Sequence, residues 1–210
     1  MNALTELRLI FVRNKLLISV VALTFLMVTF LSAMIAYIFL LTSPELVKTF
    51  QTAIGTTRQL VAIPPPYTPD LYRLILLNNI GHFWNPTRVW VWIPVVGAFS
   101  LGYELLLNAI VIGGVASFAS VTRGAAYTVA GLAPHGIFEI PAFILEFAGL
   151  TRWHVASTKA IYTKLSGRSL DRPLLIEGIK DTLVLSLLSV LLFTVAAYVE
   201  TYITPMFLGL

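Results

Sequence analysis

Long apolar runs separated by short polar segments dominate the pattern of hydrophobic and polar positions along this chain. The first run, residues 16–42, holds 27 residues without a charge. At about 1.5 Å per residue it reaches about 40 Å, enough to cross the ~30 Å hydrocarbon core of a bilayer. Arg8, Arg13 and Lys15 precede it, as in a secretory signal, but a signal has an apolar stretch of only roughly 7–15 residues. The pattern therefore predicts a retained first span.

The segment after this run, residues 43–86, predicts an outer connector with an interfacial helix. Residues 63–69 contain four prolines and read as a stiff extended linker. Residues 71–84 are too short to cross a bilayer comfortably and carry polar side chains, so an interfacial or re-entrant helix is expected, ending at Asn85-Pro86.

The next apolar run, residues 89–122, carries one charge, Glu104. A single helix of that length would overshoot the bilayer by about 20 Å. Because Gly102 interrupts the run, the pattern predicts two spans, 87–103 and 105–122.

The C-terminal half predicts two further spans. Pro134 opens the first, 134–151, and Pro141 should kink it because proline removes a backbone donor. Residues 152–180 form a basic segment, and the last span covers 182–202. The predicted architecture is all-α: a polytopic membrane protein with about five transmembrane helices and short interfacial helices.

The basic residues predict the orientation of these spans. Cytoplasmic loops carry an excess of Lys and Arg, and the two basic stretches are 8–15 and 152–180. Placing both inside requires five crossings, with the N-terminus cytoplasmic and the C-terminus extracytoplasmic. The expected location is the cell membrane.

Composition agrees with a lipid-embedded chain. Of the 210 residues, 58% are hydrophobic and 11% are charged, against roughly 25% charged in soluble domains. The length predicts one domain, residues 1–210. The absence of cysteine excludes disulfides and thiol chemistry, and the sequence shows no basic face for nucleic acid. The expected partners are membrane lipids and other membrane or envelope proteins.

Small residues recur every four positions in the predicted third span. Such a stripe lets a second helix approach closely, within the chain or in a homodimer. The stripe consists of Ala109, Gly113 and Ser117.

Ionisable and amide side chains at membrane depth are the candidate functional residues, because burying them in lipid is costly. His135, Glu139 and Glu146 lie within about 40° on one helix face at 100° per residue. Two other pairs have helical spacing of four residues, which predicts one shared interior site. These pairs are Asn78 with His82, and Glu104 with Asn108.

Simpler roles remain open for each of these residues. Glu104 could touch water at a cytoplasmic turn, and Glu146 could pair with Arg152. His135 could begin a helix whose N-terminal dipole favours Glu139. A relay of protons through the carboxylates is a further alternative. One His with carboxylates suits a transition metal, but without a second ligand motif we assign no metal and no cofactor.

Three motifs resemble the stage II sporulation protein M family over residues of about 70 to 200. They are Leu77-Asn78-Asn79-Ile80, Leu107-Asn108-Ala109, and Pro134-His135-Gly136-Ile137-Phe138-Glu139-Ile140-Pro141-Ala142. The Pro-His-Gly stretch is the most specific of the three. In the second motif, the family usually has glycine after the asparagine, whereas this chain has Ala109 after Asn108.

The resemblance implies a non-enzymatic membrane anchor, which in endospore-forming bacteria holds a peptidoglycan-degrading complex. By position, the family-like residues are Asn78, Asn79, Asn108, Pro134, His135, Gly136 and Glu139. The first hypothesis is therefore a scaffold for envelope remodelling, and the second is a small transporter or channel component. An enzyme is not expected, because the chain has neither His-Glu-x-x-His nor Gly-x-Ser-x-Gly.

Overall fold

The computed structural model describes residues 2–60 and 63–210, and within them every regular element is helical. Residues 61 and 62 of the predicted connector lie outside this description. Two 3₁₀ turns, Gly81–Phe83 and Val89–Trp92, and a π-helical turn, Val199–Ile203, complement the α-helices. The helices are α1 (Ala3–Thr42), α2 (Pro44–Leu60), α3 (Pro69–Asn79), α4 (Val96–Arg123), α5 (Ala125–Leu165), α6 (Arg172–Tyr198) and α7 (Thr204–Leu208).

Four helical stretches are long and apolar enough to cross a membrane. Large apolar side chains remain exposed along them, as expected where the surrounding solvent is lipid. The predicted all-α, polytopic membrane fold is confirmed. The four stretches are Leu4–Thr42, Val96–Arg123, Ala125–Leu165 and Arg172–Leu208.

One helix replaces the two spans predicted at 87–103 and 105–122. α4 continues through Gly102, because one glycine within a helix costs only about 1 kcal/mol relative to alanine. The break lies earlier, where Val95 follows a proline and adopts a left-handed φ of 70°. A β-branched residue in that region is strained, and this turn ends the irregular segment from which α4 starts.

The helix boundaries in the C-terminal half also differ from those predicted. α5 does not begin at Pro134 but runs through it and through Pro141, over 41 residues. Membrane helices tolerate proline because neighbouring groups satisfy the freed carbonyl. The basic segment 152–180 belongs to the end of α5 and the start of α6, with a short loop between them.

The chain divides into two compact units. The first unit comprises Met1–Phe25, Ile80–Leu105 and Ile140–Leu192. Its apolar core includes Val91 of the second 3₁₀ turn and Phe147 of α5, both almost fully buried. The second unit comprises Leu26–Asn79, Leu106–Glu139 and Phe193–Leu210.

In the second unit, the small-residue stripe of α4 packs directly against α1. The Ser32 hydroxyl of α1 donates to the carbonyl of Ala109 at 3.3 Å, and Ser117 donates to the carbonyl of Ala33 at 2.7 Å. A Cβ atom added at Gly113 would lie 2.5 Å from the carbonyl oxygen of Thr29. Glycine at this position is therefore what allows the two backbones to approach each other.

Replacing Gly113 with leucine should destabilise the protein. The new side chain would collide with the α1 backbone, and overpacking of this kind costs about 1–3 kcal/mol or more. Thermal unfolding in detergent should show a lower Tm. Gly114 provides the matched control, since a Cβ there meets nothing within 4 Å, and Gly114→Leu should leave Tm nearly unchanged. Equal Tm values for both variants would contradict the close packing.

Candidate functional site

A buried histidine between two carboxylates forms the first polar cluster, in the first unit. His82 lies in the 3₁₀ turn Gly81–Phe83 and is 2% exposed. Its Nε2 atom lies 2.6 Å from Oε2 of Glu104 on α4, and its Nδ1 atom lies 3.0 Å from Oε1 of Glu146 on α5. One imidazole ring thus joins an irregular segment to two long helices.

Two tryptophans satisfy the carbonyls of that irregular segment. The indole N–H of Trp92 donates to the carbonyl of His82 at 2.8 Å. The indole N–H of Trp153, on α5, donates to the carbonyl of Trp92 at 2.8 Å. Non-helical backbone is tolerated at membrane depth only where protein groups or water replace the missing helical hydrogen bonds. These two contacts give the carbonyls of His82 and Trp92 hydrogen bonds in place of those that a continuous helix would supply.

The charge on His82 follows from its neighbours. A carboxylate oxygen lies at each ring nitrogen of His82, and nearby opposite charges favour the protonated form of an imidazole. Arg88 adds a second positive charge near both carboxylates. When protonated, the ring carries an N–H on the side of each carboxylate.

The second polar cluster lies in the second unit and combines the end of α3 with α5 and the C-terminal segment. His135 and Glu139 are one helical turn apart, with Nε2 and Oε2 at 3.7 Å. One ligand atom each from His135, Glu139 and Glu200 lie within 4.8 Å of one another. The amide of Asn79 donates to Oε1 of Glu139 at 3.3 Å. The Nδ1 atom of His135 lies 3.3 Å from the hydroxyl of Thr204.

The π-helical turn Val199–Ile203 positions Glu200 in this cluster. Single π-turns within α-helices are rare and occur frequently at functional sites. The carbonyl of Thr201 in this turn accepts a hydrogen bond from the backbone N–H of Tyr67 at 3.2 Å. The turn therefore also anchors the proline-rich connector.

A third network in the first unit surrounds Asp181, which is fully buried. Its Oδ1 atom lies 2.5 Å from Nη2 of Arg13 and its Oδ2 atom 3.3 Å from Nε of the same arginine. The amide of Asn14 donates to Oδ2 at 2.9 Å, and Nε of Arg152 lies 3.5 Å from it. Hydrogen bonds to Asp181 thus join α1 to α6, and an ion pair adds α5.

The structure groups the candidate residues differently from the sequence analysis. His82 and Glu104 belong to the first cluster, whereas Asn79, His135 and Glu139 belong to the second. Asn78, Asn108, Pro134 and Gly136 lie on α3, α4 and α5. The idea that all the candidate residues, in both clusters, form one functional site stays a prediction.

The pairing predicted between Glu146 and Arg152 is wrong. Glu146 contacts His82, and Arg152 contacts Glu177 and Asp181. Six residues at 100° per residue place the two side chains about 120° apart around α5, on different faces.

Glu200 and Asp181 were not among the candidate residues. Glu200 stood near the predicted exit of the last span, and Asp181 one residue before its predicted start. A signal was nevertheless present: α6 and the following turns form one apolar stretch, Arg172–Leu208, so both carboxylates lie at candidate membrane depth.

Comparison with known proteins identifies the family. The family model described as stage II sporulation protein M matches residues 21–205. The chain belongs to this family. An uncharacterized protein of Methanocaldococcus jannaschii is similar, with 34% identity over 150 residues, covering 66% of this chain and 75% of that protein. No solved structure matches the chain.

In this member of the stage II sporulation protein M family, the Pro-His-Gly stretch supplies two residues of the second cluster. His135 and Glu139 lie on its inward face, where both take part in contacts with neighbouring elements or with each other. The Asn-Asn motif supplies Asn79 to the same cluster. Two motifs far apart in the sequence thus meet at one place.

Proposed function

We propose that this membrane protein is a non-enzymatic scaffold that holds partner proteins of the cell envelope. The observation that carries the proposal is that charged side chains of the long helices are paired with one another. His82 lies between two carboxylates, and Asp181 is held by Arg13 and Arg152. Such pairing fixes helices in one arrangement, which suits a rigid platform for other proteins. The family membership supports the same role.

Affinity purification from native membranes tests the scaffold. The tagged chain, extracted in a gentle detergent, should recover envelope proteins in stoichiometric amounts. A polytopic protein of similar length, expressed at the same level in the same membranes, serves as the control. A chain that purifies alone under these conditions would overturn the proposal.

A small transporter or channel component is the second candidate. The irregular segment 80–95 places non-helical backbone beside buried His82, and discontinuous helices line substrate sites in many transporters. Reconstituted liposomes should then show flux of ions or small solutes that falls in Glu139→Gln. No flux, with Glu139→Gln indistinguishable from wild type, would eliminate this candidate.

The contacts in the first unit support a topology with both basic stretches on the cytoplasmic side. Arg13 contacts Asp181, which also contacts Arg152, so the start of α1 lies beside the basic segment. α4 and α5 supply two crossings between the end of α1 and that segment. Return to the starting side requires one more, which we place in residues 43–95 as a discontinuous crossing through α3 and the 3₁₀ turns. Five crossings leave the C-terminus extracytoplasmic.

Labelling of single cysteines tests this topology. Because the sequence contains no cysteine, each introduced cysteine is the only thiol that can react. Gln51→Cys on α2 and Leu210→Cys should react with a membrane-impermeant maleimide in intact cells. Ser166→Cys, in the loop after α5, should react only after permeabilisation. All three positions are exposed. Reaction of Ser166→Cys in intact cells would exclude the discontinuous crossing, since four crossings put that loop outside.

A further inference from the structure

We propose that His135, Glu139 and Glu200 bind one divalent first-row transition-metal ion. The proposal concerns the second cluster and does not depend on the scaffold or transport roles. The bound ion would hold the side chains of the second cluster together, whereas in the first cluster the side chains pair with each other.

The donor atoms have the chemistry and spacing that such an ion requires. One imidazole nitrogen and two carboxylates supply three ligands, each pair of donor atoms within 4.8 Å. Donors that each lie about 2.0–2.2 Å from a common ion are separated by about 3–4.4 Å, so small rotations of the side chains complete the site. Mixed nitrogen and oxygen donors favour ions such as Zn²⁺ over Mg²⁺ or Ca²⁺, which prefer all-oxygen sites.

Neighbouring polar groups orient these donors in the manner of known metal centres. The Nδ1 atom of His135 faces the hydroxyl of Thr204 at 3.3 Å, which directs Nε2 toward Glu139. Asn79 donates to one oxygen of Glu139 and leaves the other directed at His135. Metal-ligating histidines and carboxylates almost always have such outer partners, which fix their orientation.

The local charge also calls for a cation. His135 is the ion-pair partner of Glu139, and among the side chains described for residues 2, 4–56 and 63–210 no ion pair joins Lys or Arg to Glu139 or Glu200. Both carboxylates belong to long apolar helices, where like charges repel strongly because the dielectric constant is low. A divalent ion would neutralise both. In the first cluster, His82 and Arg88 both lie near the two carboxylates, whereas the described side chains supply no such pair of basic residues here.

Backbone geometry gives an independent reason to assign a ligand here. Glu200 faces the cluster because the helix widens into a π-turn over Val199–Ile203, at a cost in regular hydrogen bonding. Such turns are frequent at functional sites. The π-turn thereby adds Glu200 as a third donor to His135 and Glu139, which lie one helical turn apart on α5.

Co²⁺ and Zn²⁺ binding to the full chain in detergent tests the proposal. Chelator-treated wild type should bind one Co²⁺ per chain with a visible absorption band, which Zn²⁺ should abolish by displacement. His135→Asn and Glu200→Gln should weaken binding by about 100-fold or more, and Thr204→Val by about 10–100-fold. The controls are His154→Asn on the same helix and Glu45→Gln, an exposed carboxylate; both should bind as wild type.

A measurement on wild type alone keeps the proposal testable if the variants fail to fold. Cu²⁺ binds most tightly among these ions at sites with nitrogen and oxygen donors. With ¹⁵N-labelled histidine, its electron spin-echo spectrum should report one coordinated imidazole. Folded wild type with no Co²⁺ band and no histidine coupling would overturn the metal site. Equal binding by wild type and Glu200→Gln would do the same.

Discussion

Replacing His82 with leucine should lower the free energy of unfolding by about 3–5 kcal/mol, the usual cost of breaking a buried ion pair by removing one partner. Glu104 and Glu146 would then face each other without the imidazolium, and Glu146 is 1% exposed. The irregular segment would also lose the polar contact that His82 makes with each helix. Denaturant unfolding in detergent, followed by tryptophan fluorescence, should detect the loss.

Leucine at all three positions of this cluster distinguishes lost charge balance from lost packing. Replacing a complete buried ion network with apolar residues of similar volume is often neutral or stabilising. We therefore expect the triple variant with leucine at His82, Glu104 and Glu146 to recover most of the stability that His82→Leu loses. If the single variant is as stable as wild type, the imidazolium does not hold this segment.

The second large effect is expected at Asp181. Asp181→Leu should also lower the free energy of unfolding by about 3–5 kcal/mol. This carboxylate is fully buried and accepts from both Arg13 and Asn14. Its removal leaves Arg13 and Arg152 close together with only the partly exposed Glu177 as a shared counter-charge. Unfolding in detergent should show the loss, and high salt should restore little of it because buried charges are poorly screened.

The adjacent residue supplies the control for Asp181. Lys180 pairs with Glu6, but half of its side chain is exposed, and exposed pairs contribute only about 0–1 kcal/mol. Lys180→Ala should therefore change stability little. Similar losses for Lys180→Ala and Asp181→Leu would show that the position in α6, and not the buried carboxylate, is responsible.

The membrane fold could be predicted because its signal is local. An uncharged run such as residues 16–42 reports its lipid environment without reference to any other segment. The helix boundaries could not be predicted in the same way. Taken alone, glycine at position 102 and proline at position 134 indicate that a helix is interrupted. Their cost is small or is compensated by packing, which a periodic pattern does not contain.

The candidate residues were found by type but not by partner. An ionisable group in an apolar run is recognisable by its cost, as with Glu104, Glu139 and His135. Which groups meet depends on contacts between distant segments, and helical spacing reports only neighbours on one helix. His82 therefore could not be assigned to Glu146, nor His135 to Thr204, before the helices were packed.

The position of His82 in the chain has a consequence for biogenesis. Both carboxylates that hold it, on α4 and α5, are synthesised after it. The short and weakly apolar segment from α3 through Val89–Trp92 thus leaves the ribosome before its anchoring groups exist. It must wait at the membrane surface or within the insertion machinery until α5 has entered. Truncation before Glu146 should therefore leave this segment accessible to protease, whereas truncation after α5 should protect it.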